Sequence, residues 1–599
     1  MVEKAGYKIS DIYQGGYSGL TPPSNTYLAA GSLGMTTDPR SANLLQEVSS
    51  KLSSGAKQIE IEGVSDKIFD SIPKQHLKEV HRLSKLTGID VSLHGPVIDV
   101  AGFTQSGFSE NDRELAEEKV TQVLLRSHEL NPSGNIPVNF HSAEGIPGSQ
   151  FLPPRKRTEE TGDYRKMIAV NRETGRMAPL EPDLEYHPGG NVKGEIKTPE
   201  RRLDNLNSTE WRNSLFQIEV NRENAERIMK DVHPIVIARA AALRSGKLNP
   251  AEISGDEKEQ IHKIFSAYEF VEQAKMSADS LFSKAYEFAK ADGDVKRMSD
   301  LKNFSEKYGE LIGVEDGKIK SPEKYLNPKI HSEALRELIG TLEENSPKMW
   351  VPIEDFAIKK SSQTYGNAAF EAYKKFKDKS PILVIENPPA GFALSTGKDI
   401  KNIVVASRKQ FVDNAVKEGM SESEAKRQAE KFIGATWDVG HINMLRKFGY
   451  DEKEIIKEAE QVAPYVKHVH LSDNFGLEHT ELPMGMGNVP LKEIMEKLGE
   501  KGFNARKIIE AADWWQHIKT SPFQETLEAA GSPLYSMYMA PYWSQAPGLY
   551  QGYHGGLDGQ WLPQINYETF GTSFARLPKE LGGTPQGAQG SRMSGRPME

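Results

Sequence analysis

Apolar segments that end in a histidine or a carboxylate recur along this chain, and they constrain its fold more than any other feature. Stretches with helical periodicity separate them, as in a (β/α)8 barrel, where the carboxyl ends of the strands converge on one face. The pattern therefore predicts that residues far apart in sequence meet at one mouth. The segments are VSLHGP at His94, PVNFHSAEG at His141, ILVIENPPAG at Glu386, ATWDVGH at Asp438 and His441, VKHVHLSD at His470, and KIIEAA at Glu510.

Length and composition exclude several classes of protein. At 599 residues the chain is too long for one core, and a barrel of about 250 residues leaves room for further domains. A formal charge of -9 argues against a protein that coats nucleic acid nonspecifically. The chain has no cysteine, so disulfides, thiolate metal sites and cysteine nucleophiles are excluded, and any metal must use nitrogen and oxygen ligands.

The sequence shows no targeting or membrane signal. Its N-terminal stretch, MVEKAGYKISDIYQGGYSG, lacks the apolar region of a signal peptide. No segment approaches the roughly 18 uninterrupted apolar residues that cross a bilayer. We therefore expect a soluble, cytoplasmic protein without a membrane partner.

The alternation of predicted strands and helices divides the chain into regions. Residues 1–25 form an arm rich in Gly, Ser, Tyr and Pro, and residues 26–150 and 378–530 form the two halves of the barrel. Residues 151–377 are a mostly helical insertion after the fourth strand, with an early hairpin that turns at Thr174 and Gly175. An insertion at this point leaves from the catalytic face, where it forms a lid or substrate platform, or equally a solvated decoration or dimer contact.

The C-terminal region, residues 531–599, is an extension rich in Tyr, Trp, Gly and Pro. Its aromatic part is too apolar for an ordinary solvated linker, so we expect it to fold over the barrel or over a neighbouring subunit. The last stretch, GGTPQGAQGSRMSGRPME, is predicted to be disordered. The tail or the insertion could thus support a homo-oligomer.

The carboxylates that follow apolar strands need cationic partners. Glu386 and Glu510 are both of this kind, and a buried carboxylate is costly unless it is paired or bound to a metal. Histidines and a divalent ion would supply that partner. Imidazole and carboxylate ligands without sulfur suit zinc, and they also permit manganese, iron or cobalt.

Some residues have a plain structural interpretation beside the functional one. A lone strand-end histidine is more often a hydrogen-bonded core residue than a ligand. His468 and His470 share a strand face, and His470 lies nearer the mouth, so we assign His470 as a ligand and His468 to the core or to a supporting position. Glu60 and Glu62 also share a face, but a polar outer face of a barrel strand explains them as well as a site does.

The stretch GLEHTELPMGMGNVP offers two more candidate ligands, His479 and Glu481, beside a turn at Gly485 and Gly487. The GMG sequence is too short for a dinucleotide fingerprint and precedes no suitable crossover, so phosphate cradling is disfavoured. Ligation by His479 or Glu481 and a purely structural role are evenly balanced.

With these motifs in view, the chain resembles the xylose-isomerase-like barrel superfamily, and within it the endonuclease IV type of apurinic/apyrimidinic endonuclease. The resemblance covers residues 26–150 and 378–530 and implies two or three zinc ions held by strand-end ligands. It also implies that one carboxylate, Glu386, bridges two ions. By motif the first ion matches His94, His141 and Glu386, the second Glu386, Asp438, His470 and Glu510, and the third His441 with His479 and Glu481.

The chain departs from that family at two places. The family holds its third ion with an Asp and a His, whereas the corresponding positions here are His479 and Glu481. The family also has an aromatic residue shortly after the strand-three histidine, which helps to hold DNA open, and HGPVIDVAG has none.

Three functions therefore stay open. The first is a DNA repair hydrolase that cleaves a phosphodiester at abasic sites, in which Glu386 bridges two ions and Glu510 orients the nucleophile. The second is a sugar isomerase or epimerase, in which one ion, manganese for example, orders a ketose while a carboxylate moves a proton. The third is a non-catalytic assembly or binding protein. The complete first-ion set favours the hydrolase, and the acidic charge with the missing aromatic residue favours the isomerase.

Overall fold

A computed structural model describes residues 28, 30–41, 43–53, 56–104, 107–143, 145–186, 194–511, 514 and 521–530. The predicted arm at residues 1–25 and the aromatic tail at residues 531–599 lie outside the described residues. The chain divides into two compact units. We call them the barrel unit, Met1–Lys156 with Glu354–Glu599, and the insertion unit, Arg157–Ile353.

Eight parallel strands close a barrel in the barrel unit, so the predicted (β/α)8 fold is confirmed. Each strand pairs with its neighbours in chain order, and the last pairs with the first. The strands are β1 Leu33–Thr36, β2 Gln58–Glu62, β3 Asp90–His94, β4 Pro137–His141, β5 Ile382–Glu386, β6 Ile433–Asp438, β7 Val466–Leu471 and β8 Arg506–Ile509.

The strand register aligns the ends of neighbouring strands. Glu386 pairs with His141, and Asp438 pairs with His470. Parallel strands of a closed barrel present their carboxyl ends at one face. Residues from both halves of the chain are thereby brought to the same level of the barrel.

Helices surround the barrel strands, and their caps explain where several begin. Thr396 and Asp399 form a reciprocal capping box before one helix, and Asp451 and Glu454 form another. The helices are Leu44–Ser53, Asp66–Ser71, Lys74–Thr87, Glu110–Ser127, Ile353–Phe376, Gly397–Lys417, Glu422–Phe432, Val439–Asn443, Glu452–Val462, Leu491–Asn504 and Phe523–Ala529. Short strands add Phe103–Thr104, Gly107–Phe108 and Gln150–Phe151.

The insertion unit is mostly helical, with a buried core that includes Trp211, Ile264 and Leu335. Its helices are Pro199–Met229, Pro234–Arg244, Gly255–Asp292, Val295–Ile312, Pro322–Tyr325 and Pro328–Glu344. Its strands are Tyr164–Asn171, Met177–Leu180, Asp183–Glu185, Glu195–Lys197, Val314–Glu315, Lys318–Ile319 and Trp350–Pro352.

The predicted hairpin is present in this unit. Tyr164–Asn171 and Met177–Leu180 pair antiparallel. Gly175 has φ +70°, a conformation that suits glycine, and its N–H donates to the carbonyl of Asn171.

The insertion unit is shorter than the region 151–377 that the sequence suggested. From Glu354 onward, the helix Ile353–Phe376 belongs with the barrel. Its Glu354 carboxylate accepts hydrogen bonds from Ser149, and its Thr364 hydroxyl donates to the carbonyl of Val100. These bonds tie the helix to loops that follow barrel strands. Among the helices of the described residues, none combines the length and the apolar character needed to cross a bilayer.

Candidate metal centre

Glu386, at the end of β5, lies between two groups of potential metal ligands. Its side chain is fully buried. One carboxylate oxygen, Oε2, is 3.4 Å from His94 Nε2 and 3.6 Å from His141 Nε2. The other oxygen, Oε1, is 2.9 Å from His470 Nδ1. The two oxygens thus face different partners, which is the arrangement of a bridging carboxylate.

The first group consists of His94, His141 and Glu386, and its potential ligand atoms all lie within 4.8 Å of one another. The His94 Nδ1–H donates to the carbonyl of Gly95 over 2.9 Å, which directs Nε2 toward Glu386. The hydroxyl of Tyr365 donates to the carbonyl of His141 over 2.5 Å and supports the end of β4. Asn139 donates its side-chain N–H to Glu386 Oε2.

The second group consists of Glu386, Asp438, His470 and Glu510, again with potential ligand atoms within 4.8 Å of one another. His470 Nδ1 lies 3.4 Å from Glu510 Oε2. Asp438 accepts the backbone N–H of His441 over 2.6 Å. The Glu510 side chain is 13% exposed whereas His470 is fully buried, so Glu510 is the member of this pair that faces the open side.

The residues proposed for a third ion lie close together but form a weaker set. The Nε2 atoms of His441 and His479 are 2.8 Å apart, as in a hydrogen bond between two imidazoles. His441 Nδ1–H donates to the carbonyl of Asn387 over 2.7 Å. His479 Nε2 is 3.9 Å from Glu481 Oε1, and both side chains are about one third exposed. Within the described part of the chain, these three do not make a group like the first two.

The loop that carries His479 and Glu481 is fixed by Asp473, at the end of the HLSD motif. The buried Asp473 carboxylate accepts the backbone N–H groups of Gly485, Gly487 and Val489 at 2.8 to 3.0 Å. A side chain at position 487 would clash with it, since an added Cβ would lie 2.3 Å from Asp473 Oδ1. The glycine turn therefore folds around a carboxylate of this chain, which occupies the N–H groups of Gly485 and Gly487.

The pKa shifts of the carboxyl groups indicate that the site needs further positive charge. Burial opposes ionisation of Glu386, but His470 and His141 outweigh it and hold the Glu386 pKa well below its usual value. Burial, with the Glu510 and Glu386 carboxylates, raises the Asp438 pKa well above its usual value. His470 thus does not offset the burial of Asp438 and its carboxylate neighbours. A divalent cation would do so, and the donor set of imidazoles and carboxylates fits one.

The pKa values of two histidines of the site are also shifted in opposite directions. Burial lowers the pKa of His94, but Glu62 and Glu386 outweigh it and raise that pKa to about 10. Burial and the neighbouring His479 lower the His441 pKa to about 3. His441 is therefore neutral: its Nδ1–H donates to the Asn387 carbonyl, and its Nε2 lone pair is directed at His479.

The interpretation of Glu60 and Glu62 as a polar outer strand face is wrong. Both are buried, at 0% and 9% exposure, and Glu60 Oε1 lies 2.8 Å from His470 Nε2 across the barrel interior. In β2 the residues Ile59 and Ile61 alternate with them and are also fully buried. The outer face of a barrel strand is covered by helices and is apolar, so the glutamates point inward. The alternation in QIEIE was the available signal, but it does not by itself show which face points inward.

Comparison with known proteins agrees with the barrel architecture. Residues 365–529 match the family described as Xylose isomerase-like TIM barrel. This segment includes strands β5 to β8 and so carries Glu386, Asp438, His470 and Glu510. The second half of the barrel is thus similar to the xylose isomerase-like TIM barrel family.

Two individual proteins are similar to this chain. The Uncharacterized protein MJ1311 of Methanocaldococcus jannaschii is 32% identical over 74 residues, which are 12% of this chain and 24% of that protein. The chain thus spans about a quarter of the relative's length. A solved structure titled "Crystal structure of D-tagatose 3-epimerase-like protein" aligns with 85% of this chain and 99% of its own, at 13% identity and a TM-score of 0.33. A TM-score this low supports no conclusion about function.

Proposed function

We propose that this protein is a divalent-metal-dependent hydrolase that resembles endonuclease IV and cleaves a phosphodiester bond. The observation that carries the proposal is the position of Glu386, whose two carboxylate oxygens face two separate ligand groups. Two-metal sites are typical of phosphatases and nucleases. A site for one ion would not need the histidines of the first group.

The donor chemistry determines which residues would hold the ions. His94, His141 and Glu386 would hold one, and Glu386, Asp438, His470 and Glu510 the other. Zinc fits these nitrogen and oxygen donors best, and manganese or another divalent metal is compatible with them. Two such ions would activate water and stabilise the charge on the attacking and leaving oxygens of an in-line displacement.

The residues of the chain contribute positioning and a proton acceptor. Glu510 is the partly exposed carboxylate of the second group, so it orients the attacking water and accepts its proton. His141 is also partly exposed, at 15%, whereas His94 and Glu386 are closed to solvent. The substrate therefore approaches from the side of His141 and Glu510. His479 and Glu481 are about one third exposed, so they would contact the substrate or hold a third ion.

The proposed substrate is DNA with an abasic site, on the strength of the resemblance to endonuclease IV. The test is incubation of the zinc-loaded protein with an abasic-site duplex, beside the same duplex without the lesion. Strand cleavage at the lesion supports the proposal. Cleavage of neither duplex, together with no hydrolysis of the general substrate bis(p-nitrophenyl) phosphate, contradicts it.

A sugar isomerase or epimerase is the second candidate, because the second ligand group is by itself a complete site for one ion. The substitution His141→Gln separates the two candidates. In the hydrolase it removes a ligand of the first ion and abolishes most activity. In an isomerase it leaves the second group intact, and interconversion in a panel of ketoses continues.

The matched control is Glu118→Gln, on the exposed face of the helix Glu110–Ser127, which leaves either activity unchanged. A protein with no turnover of any of these substrates, whose self-association is the same in His141→Gln, would be the non-catalytic assembly protein.

A further inference from the structure

The carboxylate of Glu60, buried inside the barrel, contacts His470 of the second ligand group. Glu60 lies on β2, opposite Ser92 of β3, and is fully buried. Its Oε2 accepts the hydroxyl proton of Ser92 over 2.6 Å. Its Oε1 lies 2.8 Å from Nε2 of His470, which is 410 positions away in sequence. The contact joins the first half of the barrel to the second.

The ring of His470 is engaged at both nitrogens. Nδ1 faces Glu386 Oε1 at 2.9 Å and Glu510 Oε2 at 3.4 Å, on the side of the proposed ion. Nε2 faces Glu60. Both neighbours are carboxylates, so each ring nitrogen donates to one of them in the absence of a metal. An ion shared with Glu386 and Glu510 would replace the proton on Nδ1, while the Nε2–H would keep its bond to Glu60.

The other histidines near Glu386 are oriented differently. His94 and His441 direct their Nδ1–H groups at the backbone carbonyls of Gly95 and Asn387. His470 instead donates to a charged group, and hydrogen bonds to charged groups are stronger than bonds to neutral ones. A carboxylate behind a ligating histidine fixes the ring orientation and increases its basicity as a ligand.

We propose that Glu60 is a positioning residue of the metal centre, which holds the Nε2–H of His470 so that Nδ1 binds the ion shared with Glu386 and Glu510. The inference rests on the proposed function, since it takes the second group to be a cation site. It adds a residue outside both ligand groups and states which nitrogen of His470 is the ligand.

The competing interpretation is a separate ion among Glu60, His468 and His470, whose potential ligand atoms are also within 4.8 Å of one another. Among the described residues, the nitrogens of His468 have no hydrogen-bond partner, although Nε2 lies 3.1 Å from Glu60 Oε2. Such an ion would require Nε2 of His470 to lose its proton while Nδ1 serves the second group. It would also compete with Ser92 for Glu60 Oε2. The hydrogen-bonded arrangement needs neither change.

The experiment measures Co²⁺ affinity of the metal-free full-length protein by competition with a chelator. Glu60→Gln keeps the shape of the side chain but removes the charge, and we expect one Co²⁺ ion to bind about 10- to 100-fold more weakly. Glu60→Leu removes the acceptor altogether, and we expect a larger loss. The control Ser92→Ala leaves the carboxylate of Glu60 in place and keeps the affinity of the unchanged protein. Equal affinities in all four proteins would overturn the inference, as would an equal loss in Ser92→Ala.

Crystal structures give a readout that does not depend on activity. In the Co²⁺-loaded protein we expect the ion at Nδ1 of His470, and an ion at Nε2 beside Glu60 and His468 would overturn the inference. If the unchanged protein takes up no Co²⁺, the proposed function fails, and the inference is then decided by the metal-free structures. In Glu60→Leu, a His470 ring that rotates or adopts two conformations supports the inference. A ring in the same position as in the unchanged protein contradicts it.

Discussion

The barrel unit buries a cluster of carboxyl groups and histidines at its mouth, whereas the core of the insertion unit is an apolar cluster. At the mouth of the barrel, fully buried residues include Glu386, Asp438 and His470. In the insertion unit, the main buried cluster is apolar and includes Trp211 and Leu335. Ion pairs such as Arg212 with Glu343 lie on its surface, with side chains 71% and 56% exposed.

This difference separates residues that stabilise the fold from residues that serve a site. Burial of apolar surface stabilises a helical core, whereas burial of carboxyl groups costs free energy unless cations compensate them. In the barrel, carboxyl groups are buried in this way at one face, where the strand ends converge. Substitutions in the two units test whether buried charge in the barrel serves metal binding and whether the apolar core stabilises the insertion.

The largest effect is expected for Glu386→Gln. Because Glu386 belongs to both ligand groups, its loss weakens both proposed ions, and we expect affinity for Zn²⁺ to fall by more than about 10²-fold, beyond the loss caused by residues that only support a ligand. Isothermal titration of the metal-free protein measures it. If both ions still bound with unchanged affinity, the contrast between the two units would be wrong, since Glu386 would then be a core residue only.

The apolar core of the insertion provides the next effect. Leu335 is fully buried in the helix Pro328–Glu344, so Leu335→Ala removes apolar contacts and leaves a cavity. We expect a loss of about 2 to 5 kcal/mol in the free energy of unfolding, with Zn²⁺ affinity unchanged. The control is Met276→Ala, at a side chain that is 72% exposed, which should hardly change stability. A loss of Zn²⁺ binding in Leu335→Ala would contradict the division between the units.

A buried carboxyl group outside the metal centre gives a pH-dependent effect. Burial, with the nearby Asp399, raises the Glu354 pKa from 4.5 to about 7. The folded state therefore holds this proton more tightly than the unfolded state. The stability that it contributes is present below about pH 4.5 and is lost as the pH rises toward 7, on the order of 3 kcal/mol in total.

Glu354→Gln should flatten this dependence, since the amide can keep both hydrogen bonds with Ser149. We expect the variant and the unchanged protein to have similar melting temperatures near pH 5, and the variant to melt higher at pH 8. If the melting temperatures of the two proteins changed in parallel between pH 5 and pH 8, ionisation of the buried Glu354 carboxyl group would not destabilise the folded protein.

The smallest effect is expected at the surface of the insertion. Arg212 Nε lies 3.5 Å from Glu343 Oε1, and both side chains are exposed. Arg212→Ala should change the free energy of unfolding by less than about 1 kcal/mol, because solvent and salt screen such a pair. Denaturation in urea at low and high salt checks this. A loss as large as that of Leu335→Ala would mean that surface charge, and not the apolar core, stabilises this unit.

The barrel and the meeting of its strand ends could be predicted from the sequence because the fold itself imposes them. Periodicity located the strands, and the (β/α)8 architecture then required His94, Glu386 and Asp438 to converge. The hairpin at Gly175 was likewise predictable from local turn chemistry. These features depend on rules that act within a segment or follow from the closed barrel.

The inner layer of the barrel could not be predicted in the same way. The contact between Glu60 and His470 joins residues 410 positions apart, and no local pattern shows which strand face points inward when both faces are buried. The supporting role of Asp473 was also missed, because three of its four backbone partners lie in a loop whose path is set by tertiary structure. The compact insertion unit ends at Ile353, earlier than the helical region seen in the sequence, because the helix Ile353–Phe376 continues the helical pattern of that region.

The most direct test of the central claim, that Glu386 is shared by two metal ions, is anomalous scattering at the zinc edge from crystals of the zinc-loaded protein. The account predicts two peaks, one between Glu386 and the pair His94 and His141, the other between Glu386 and His470 with Asp438 and Glu510. No peak at Glu386, or a single peak that leaves His94 and His141 without metal, would contradict it.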